Sequence, residues 1–161
     1  MPTIEDIISD EIRREGGSKM TDDPEDRGGR TQYGISEKAN PEAWTDNKVT
    51  EEEARAIYEA KYIKAPGFDK IADFHLRSNL VDFGVTSGPH LAIMKLQEIL
   101  HVEVDGHLGP LTLAAVNQTH PEAINNLLVG KRVVMIGRLV QKYPADIKKL
   151  VGWLSRAVDF L

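Results

Sequence analysis

The chain has no cysteine among its 161 residues, so neither a disulfide framework nor a thiolate metal site can be built. Its five histidines (His75, His90, His101, His107 and His120) include no H-x-x-x-H pair, and a metal site has no support in their spacing. No basic run exceeds two residues and the formal charge is -5, which argues against nucleic acid as a partner, because phosphate binding needs clustered Lys and Arg. No segment reaches the ~20 apolar residues of a bilayer span, so no stable membrane insertion is expected. The first residues, MPTIEDIISDEIRREGG, are acidic where an export leader is basic, and they lack its apolar core. That pattern predicts synthesis in the cytoplasm, with any work outside it depending on another route out. No motif implies a cofactor, and a monomer is expected.

What is present is an ordinary globular composition, 41% hydrophobic and 28% charged, long enough for one compact domain or two small lobes. Ile4, Ile7, Ile8 and Ile12 form one stripe of an amphipathic helix that Gly16 and Gly17 end. Residues 18 to 36, rich in Gly, Asp and Thr, read as an irregular or short β-hairpin segment in which Thr31, Tyr33 and Ile35 alternate in strand fashion. Thr50 with Glu53 makes a capping box for a helix burying Ala54, Ile57 and Tyr58. Further helices are expected over residues 71–86, from Pro89, from Pro110, from Pro121 to about 143, and from about 145 to 160. The fold class is mainly α, an α+β arrangement with a helical bundle and a small β-hairpin patch near residues 20–36.

The isoleucine stripe carries a consequence. Its next position beyond Ile8 and Ile12 is Glu15, a carboxylate facing the apolar side at the helix C-terminus, where burial and the helix dipole both disfavour its charged form. The adjoining glycines remove side-chain bulk and leave room for a substrate. These are the conditions of a general acid, although an ion pair with Arg13 or Arg14 that merely closes the helix fits the spacing as well. Asp22, Asp23, Glu25 and Asp26 crowd the following loop. Asp26 stands apart because Gly28, Gly29 and Thr31 follow it, where a hairpin could fold it back towards the helix end. A solvated acidic loop is the alternative, and the calcium-loop pattern does not fit.

Taken together, Glu15-Gly16-Gly17, Asp23-Pro24, Asp26, Gly28-Gly29, Thr31 and Tyr33-Gly34-Ile35-Ser36 resemble the signature E-G-G … D-P-x-D-x-G-G-x-T-x-x-G-I-[TS] of the glycoside hydrolase family 108 muramidases. Phe83-Gly84-Val85-Thr86-Ser87-Gly88-Pro89 with Leu96-Gln97 is similar to the next block of that family. Asp105-Gly106, Gly109-Pro110 and Thr112 are similar to the D-G-x-x-G-P-x-T pattern of its predicted peptidoglycan-binding region. Gly152-Trp153-Leu154 and Arg156 resemble its closing G-W-L-x-R. Ser18 stands where the family often has an aromatic residue, and Thr86 where it often has Asn.

The resemblance implies a lysozyme-like muramidase region over residues 1–88 and a helical peptidoglycan-binding region over 89–161, packed as one compact unit. It implies cleavage of the β-1,4 bond between N-acetylmuramic acid and N-acetylglucosamine, as in phage endolysins or secretion-associated muramidases. Glu15 becomes the catalytic acid, while Asp26 and Thr31 position water, Asp22 and Asp23 being alternatives for the second carboxylate. Gly16 and Gly17 would floor the cleft, Gly29 would shape the hairpin, and Tyr33 would offer a flat face to a sugar unless it packs inside the hairpin. The implied partners are glycan strands and a holin that lets the protein reach the wall in the periplasm, causing lysis. A lytic transglycosylase and a non-catalytic wall-binding or secretion-assisting module are the rival readings. Asp105-Gly106 and Gly109-Pro110 are also explained as plain turn chemistry, and Gly152, Trp153 and Arg156 as a packing joint. Lys131, Arg132, Arg138, Lys142, Lys148 and Lys149 read as a solvated helical face.

Overall fold

The computed structural model describes residues 2–22 and 29–161, and it divides into two compact units, Met1–Ala65 and Pro66–Leu161. The described residues are mainly helical, with one two-stranded antiparallel hairpin among them.

In the first unit α1 (Ile4–Arg14) begins with a capping box. The Thr3 hydroxyl accepts from the Asp6 N–H at 3.3 Å, and the Asp6 carboxylate accepts from the Thr3 N–H at 2.6 Å. Ile7, Ile8 and Ile12 are buried as the periodicity requires, and Glu11 is buried with them. The helix ends in a Schellman motif: the Gly17 N–H reaches the Ile12 carbonyl at 2.9 Å and the Gly16 N–H reaches that of Arg13 at 3.3 Å. A hairpin follows, β1 (Thr31–Gln32) pairing with β2 (Ile35–Ser36). Tyr33 is therefore not a strand residue. Tyr33 (φ 52°) and Gly34 (φ 77°) form the two-residue loop, and two left-handed residues in succession match the right-handed twist of the strands. A short 3-10 turn (Pro41–Trp44) leads to α2 (Glu51–Ile57), opened by Thr50 and Glu53 as expected. From Tyr58 to Lys64 the helix widens into π geometry, burying Tyr58 and Ile63.

The second unit opens with a 3-10 turn (Phe68–Lys70), then α3 (Phe74–Ser87), capped by the Asp73 carboxylate on the Leu76 N–H at 2.8 Å. Helices α4 (Pro89–Leu100), α5 (Pro110–Gln118) and α6 (Pro121–Lys142) each begin at a proline in the first turn. A 3-10 segment (Pro144–Lys149) precedes α7 (Leu150–Val158), where the sequence suggests one continuous helix. α3 packs on α4 and α6. Its core stripe of Leu76, Leu80, Val81 and Phe83 is fully buried. Among the described residues, no helix is long and apolar enough to cross a membrane.

Buried polar groups knit this unit. Asp82, without exposure, bonds the Arg132 guanidinium and accepts from Arg156 Nε at 2.7 Å. Arg132 donates to Asn79 Oδ1 at 2.8 Å, Asn79 donates to Asn125 Oδ1 at 2.8 Å, and Asn125 donates to the Phe160 carbonyl. The Arg132 guanidinium also lies 5.1 Å from the Phe83 ring centre. Arg132 is thus a core residue and not part of a solvated basic face. Arg156 acts as a packing joint, joining the last helix to α3.

Candidate active site

The first helix, its glycine pair and the hairpin loop meet at Glu15. Glu15 is the C-cap of α1 and is half-buried. Gly34 lies directly against it: a Cβ built on Gly34 would stand 2.7 Å from the Glu15 Cβ and Cγ and 2.2 Å from Tyr58 Oη. Two hydrogen bonds hold the loop there. The Tyr33 N–H donates to the Gly17 carbonyl at 3.0 Å, and Tyr58 Oη donates to the Tyr33 carbonyl at 3.0 Å. The carboxylate stem is therefore clamped between a helix end and a hairpin loop, a placement that limits its rotamers before any substrate arrives.

The other sequence-derived residues fall as follows. Gly16 (φ 92°), Gly17 (φ 61°) and Gly29 (φ 71°) are all left-handed, and a Cβ on any of them would meet open space, so their need for glycine is conformational. Thr31 begins β1, is half-buried, and exchanges two backbone bonds of 2.8 Å with Thr21. Its hydroxyl donates weakly to the Gly29 carbonyl at 3.4 Å. Tyr33 is half-buried and fixed by its backbone on both sides. Asp26 and Asp23 lie outside the described residues, and Asp22 is exposed. The structure thus joins Glu15 to the loop of the hairpin that carries Thr31. Sequence reasoning missed Gly34 and Tyr58 as the groups that hold Glu15, and also the burial of Glu11 one turn earlier. The last was available in the spacing, since Ile7, Glu11 and Glu15 are successive i, i+4 positions.

This clamp makes a contrast measurable. Gly34→Ala should destabilise the protein by about 1–3 kcal/mol, since its Cβ has nowhere to go, and should displace Glu15. Gly16→Ala, with open space around it, should cost only about 1–2 kcal/mol of left-handed strain. Urea unfolding and an activity assay on both variants check this, with activity falling further in Gly34→Ala at matched folded fraction.

The open end of the hairpin is closed by charge. Arg30 Nε and Nη2 reach the two Glu37 oxygens at 2.9 and 2.7 Å, with the Arg30 guanidinium 5.0 Å from the Trp44 ring centre. The Arg30 hydrogen bonds hold the Glu37 carboxyl below its ordinary value of 4.5. A lowered folded-state value means stabilisation that is full above that ordinary value and is lost as pH falls below it. Glu37→Gln should therefore melt below the wild type at pH 7, and the difference should narrow as pH is lowered below that ordinary value, as followed by thermal unfolding.

In the second unit the Asp105-Gly106 and Gly109-Pro110 loop is organised by a buried glutamine. Gln97 Nε2 donates to Asp105 Oδ1 at 2.7 Å, to the His107 carbonyl at 2.9 Å and to Thr112 Oγ1 at 3.1 Å, while its Oε1 accepts from the Gly106 N–H at 2.8 Å. The Gln97 and His107 N–H bonds hold Asp105 below the usual carboxylate range. The loop walls a groove of about 580 Å³ with α5.

Residues 9–88 match the family model described as Glycosyl hydrolase 108, and residues 91–158 match the model described as Predicted Peptidoglycan domain. Among solved structures, that of Brucella abortus SagA is similar, with a TM-score of 0.70 and 28% identity over 98% of this chain and 92% of that one. No curated protein matches the chain. The boundary between the two matched regions falls at the end of α3, whereas α3 itself packs within the second compact unit.

Proposed function

The chain belongs to the glycosyl hydrolase 108 family, a glycoside hydrolase acting on peptidoglycan, and from that premise we propose that it is an N-acetylmuramidase with Glu15 as its general acid. The observation that carries the assignment is the clamp on Glu15 made by the Gly16-Gly17 helix end, Gly34 and Tyr58. A carboxyl group fixed beside an open glycine pair can present its proton to a glycosidic oxygen in one geometry, and positioning of this kind supplies much of a general acid's effect.

In the proposed reaction Glu15 protonates the oxygen leaving from C1 of N-acetylmuramic acid. Asp26, with Thr31, orients the water that attacks that carbon. Room for water between the two carboxyl groups, about 6.5–9.5 Å, corresponds to inversion of configuration, and about 5–5.5 Å would correspond to retention. Inversion is the course proposed. Gly16, Gly17 and Gly29 shape the cleft, and Tyr33 flanks it. No metal or cofactor has a part in this chemistry.

The setting proposed is host-cell lysis by a phage-type endolysin that acts as a monomer and reaches the periplasmic wall through a lesion made by a holin. The matched signature is shared by phage endolysins and secretion-associated muramidases and supports the reaction in either setting. A second setting, a bacterium's own wall-remodelling or secretion-associated muramidase, is favoured by the similarity to a Brucella abortus protein over nearly the whole chain. A holin gene beside this one separates the two.

The test of the reaction is the mass of the products. Incubation with purified sacculi should release muropeptides with reducing N-acetylmuramic acid ends. Products lighter by one water, with anhydro ends, would make the enzyme a lytic transglycosylase, and no release at all would leave a wall-binding module.

A further inference from the structure

The groove beside the Asp105-Gly106 loop lies apart in sequence from the Glu15 clamp, and its lining has a distinct chemistry. Val102, Pro110, Leu111, Ala114 and Ala115 make its walls aliphatic, and Glu103 and Asp105 make it acidic. No Phe, Tyr or Trp lines it and His107 is the one aromatic ring in the lining, so the broad aromatic faces on which sugar rings stack are missing from it. Leu111 is 80% exposed, an isolated apolar side chain standing on the wall of a groove. Glu103 forms no ion pair with any described residue, whereas Asp105 is engaged by Gln97 and the His107 N–H. One acid therefore builds the loop and the other faces solvent at the groove.

We propose that this groove binds the peptide stem of peptidoglycan rather than its glycan, seating alanine methyl groups against Val102, Leu111 and Ala115 and a free side-chain amine on Glu103. Aliphatic walls match the small apolar side chains of such a stem. An ammonium group on Glu103 forms the charge-assisted hydrogen bond that gives an otherwise apolar site its orientation. The proposal rests on the peptidoglycan reading above and adds which part of the polymer is held. Gln97 is a positioning residue here, since its four hydrogen bonds set the loop that carries Asp105 and Gly106. Gly106 is fixed as glycine by the same arrangement: its φ is 73°, and a Cβ there would stand 2.2 Å from His90 Nε2.

The test uses the full chain carrying Glu15→Gln, so that binding is read without cleavage. Amide resonances are followed by NMR during titration with three probes: the peptide L-Ala-γ-D-Glu-L-Lys-D-Ala, the same peptide acetylated on its lysine amine, and chitotetraose. The free-amine peptide should shift residues 102–118 and saturate. Acetylation of the probe, or Glu103→Gln in the protein, should weaken binding about tenfold, and Leu111→Ser should weaken it as well. Unshifted resonances in this segment, indifference to acetylation, or equal shifts with chitotetraose would each overturn the proposal. Because catalysis plays no part in the readout, a failure to bind here and a failure to cleave sacculi are separate results.

Discussion

Glu15→Gln is expected to lower muropeptide release by about 10²–10⁴-fold, the contribution of a positioned general acid. The substitution keeps the shape that packs against Gly34 and removes the transferable proton. Folding should be little changed, because Gly34 lies against the Glu15 Cβ and Cγ, which glutamine retains. The comparison must be made at equal folded fraction, with thermal unfolding run beside the assay. A wild-type rate in this variant would remove Glu15 from the chemistry and leave its clamp a purely structural joint.

Asp82→Ala is expected to destabilise the protein by about 3–5 kcal/mol. Asp82 has no exposure and serves two guanidinium groups, and the Arg132 side chain beside it is 4% exposed. Removing the carboxylate leaves the Arg132 charge in the core without its counter-ion, beside Asn79 and the Phe83 and Phe160 rings. The sign of the effect follows from that stranded charge more than from the worth of the pair itself, since a buried ion pair roughly offsets its own desolvation. A double replacement, Asp82→Leu with Arg132→Met, should accordingly recover much of the loss. Urea unfolding of Asp82→Ala, of Asp82→Leu and Arg132→Met singly, and of the double variant measures this, and an additive or worse double variant would contradict the explanation.

Much of the candidate site was legible in the chain because it is local. The isoleucine stripe carries α1 to its end, two glycines mark that end, and Glu15 is the next residue on the same face. What escaped was set by partners distant in sequence. Tyr33 reads as a strand residue from alternation with Thr31 and Ile35. It is a loop residue because the Tyr58 hydroxyl, 25 positions away, holds its carbonyl in a left-handed turn that Asn or Gly usually makes. Arg132 reads as one of several cations along α6. Only the packing of α6 on α3 reveals that it points at Asp82, an acid hidden within an apolar stripe. Gln97 was visible as part of a motif, yet its three bonds to the loop at Asp105, Gly106 and His107 and its one to Thr112 of α5 could not be inferred from spacing. Asp26 is the one proposed catalytic residue that lies outside the described residues, so the second carboxylate rests on the sequence signature.

The same division explains the domain picture. Sequence similarity changes at residues 88 to 91, where one matched region gives way to the next. Packing changes at Ala65, because α3 buries its core stripe against α4 and α6. Evolutionary units and packing units thus differ by one helix, and α3 belongs to the first by similarity and to the second by contact.

The most direct test of the central claim asks whether Glu15 donates a proton, not merely whether it matters. Wild type and Glu15→Gln would be compared on sacculi and on a 2,4-dinitrophenyl glycoside of the N-acetylglucosaminyl-N-acetylmuramic acid disaccharide, whose leaving group departs without protonation. A general acid predicts a large deficit on sacculi that shrinks to a few-fold on the activated glycoside. An equal deficit on both substrates would contradict the account and assign Glu15 to the attacking side of the reaction or to structure alone.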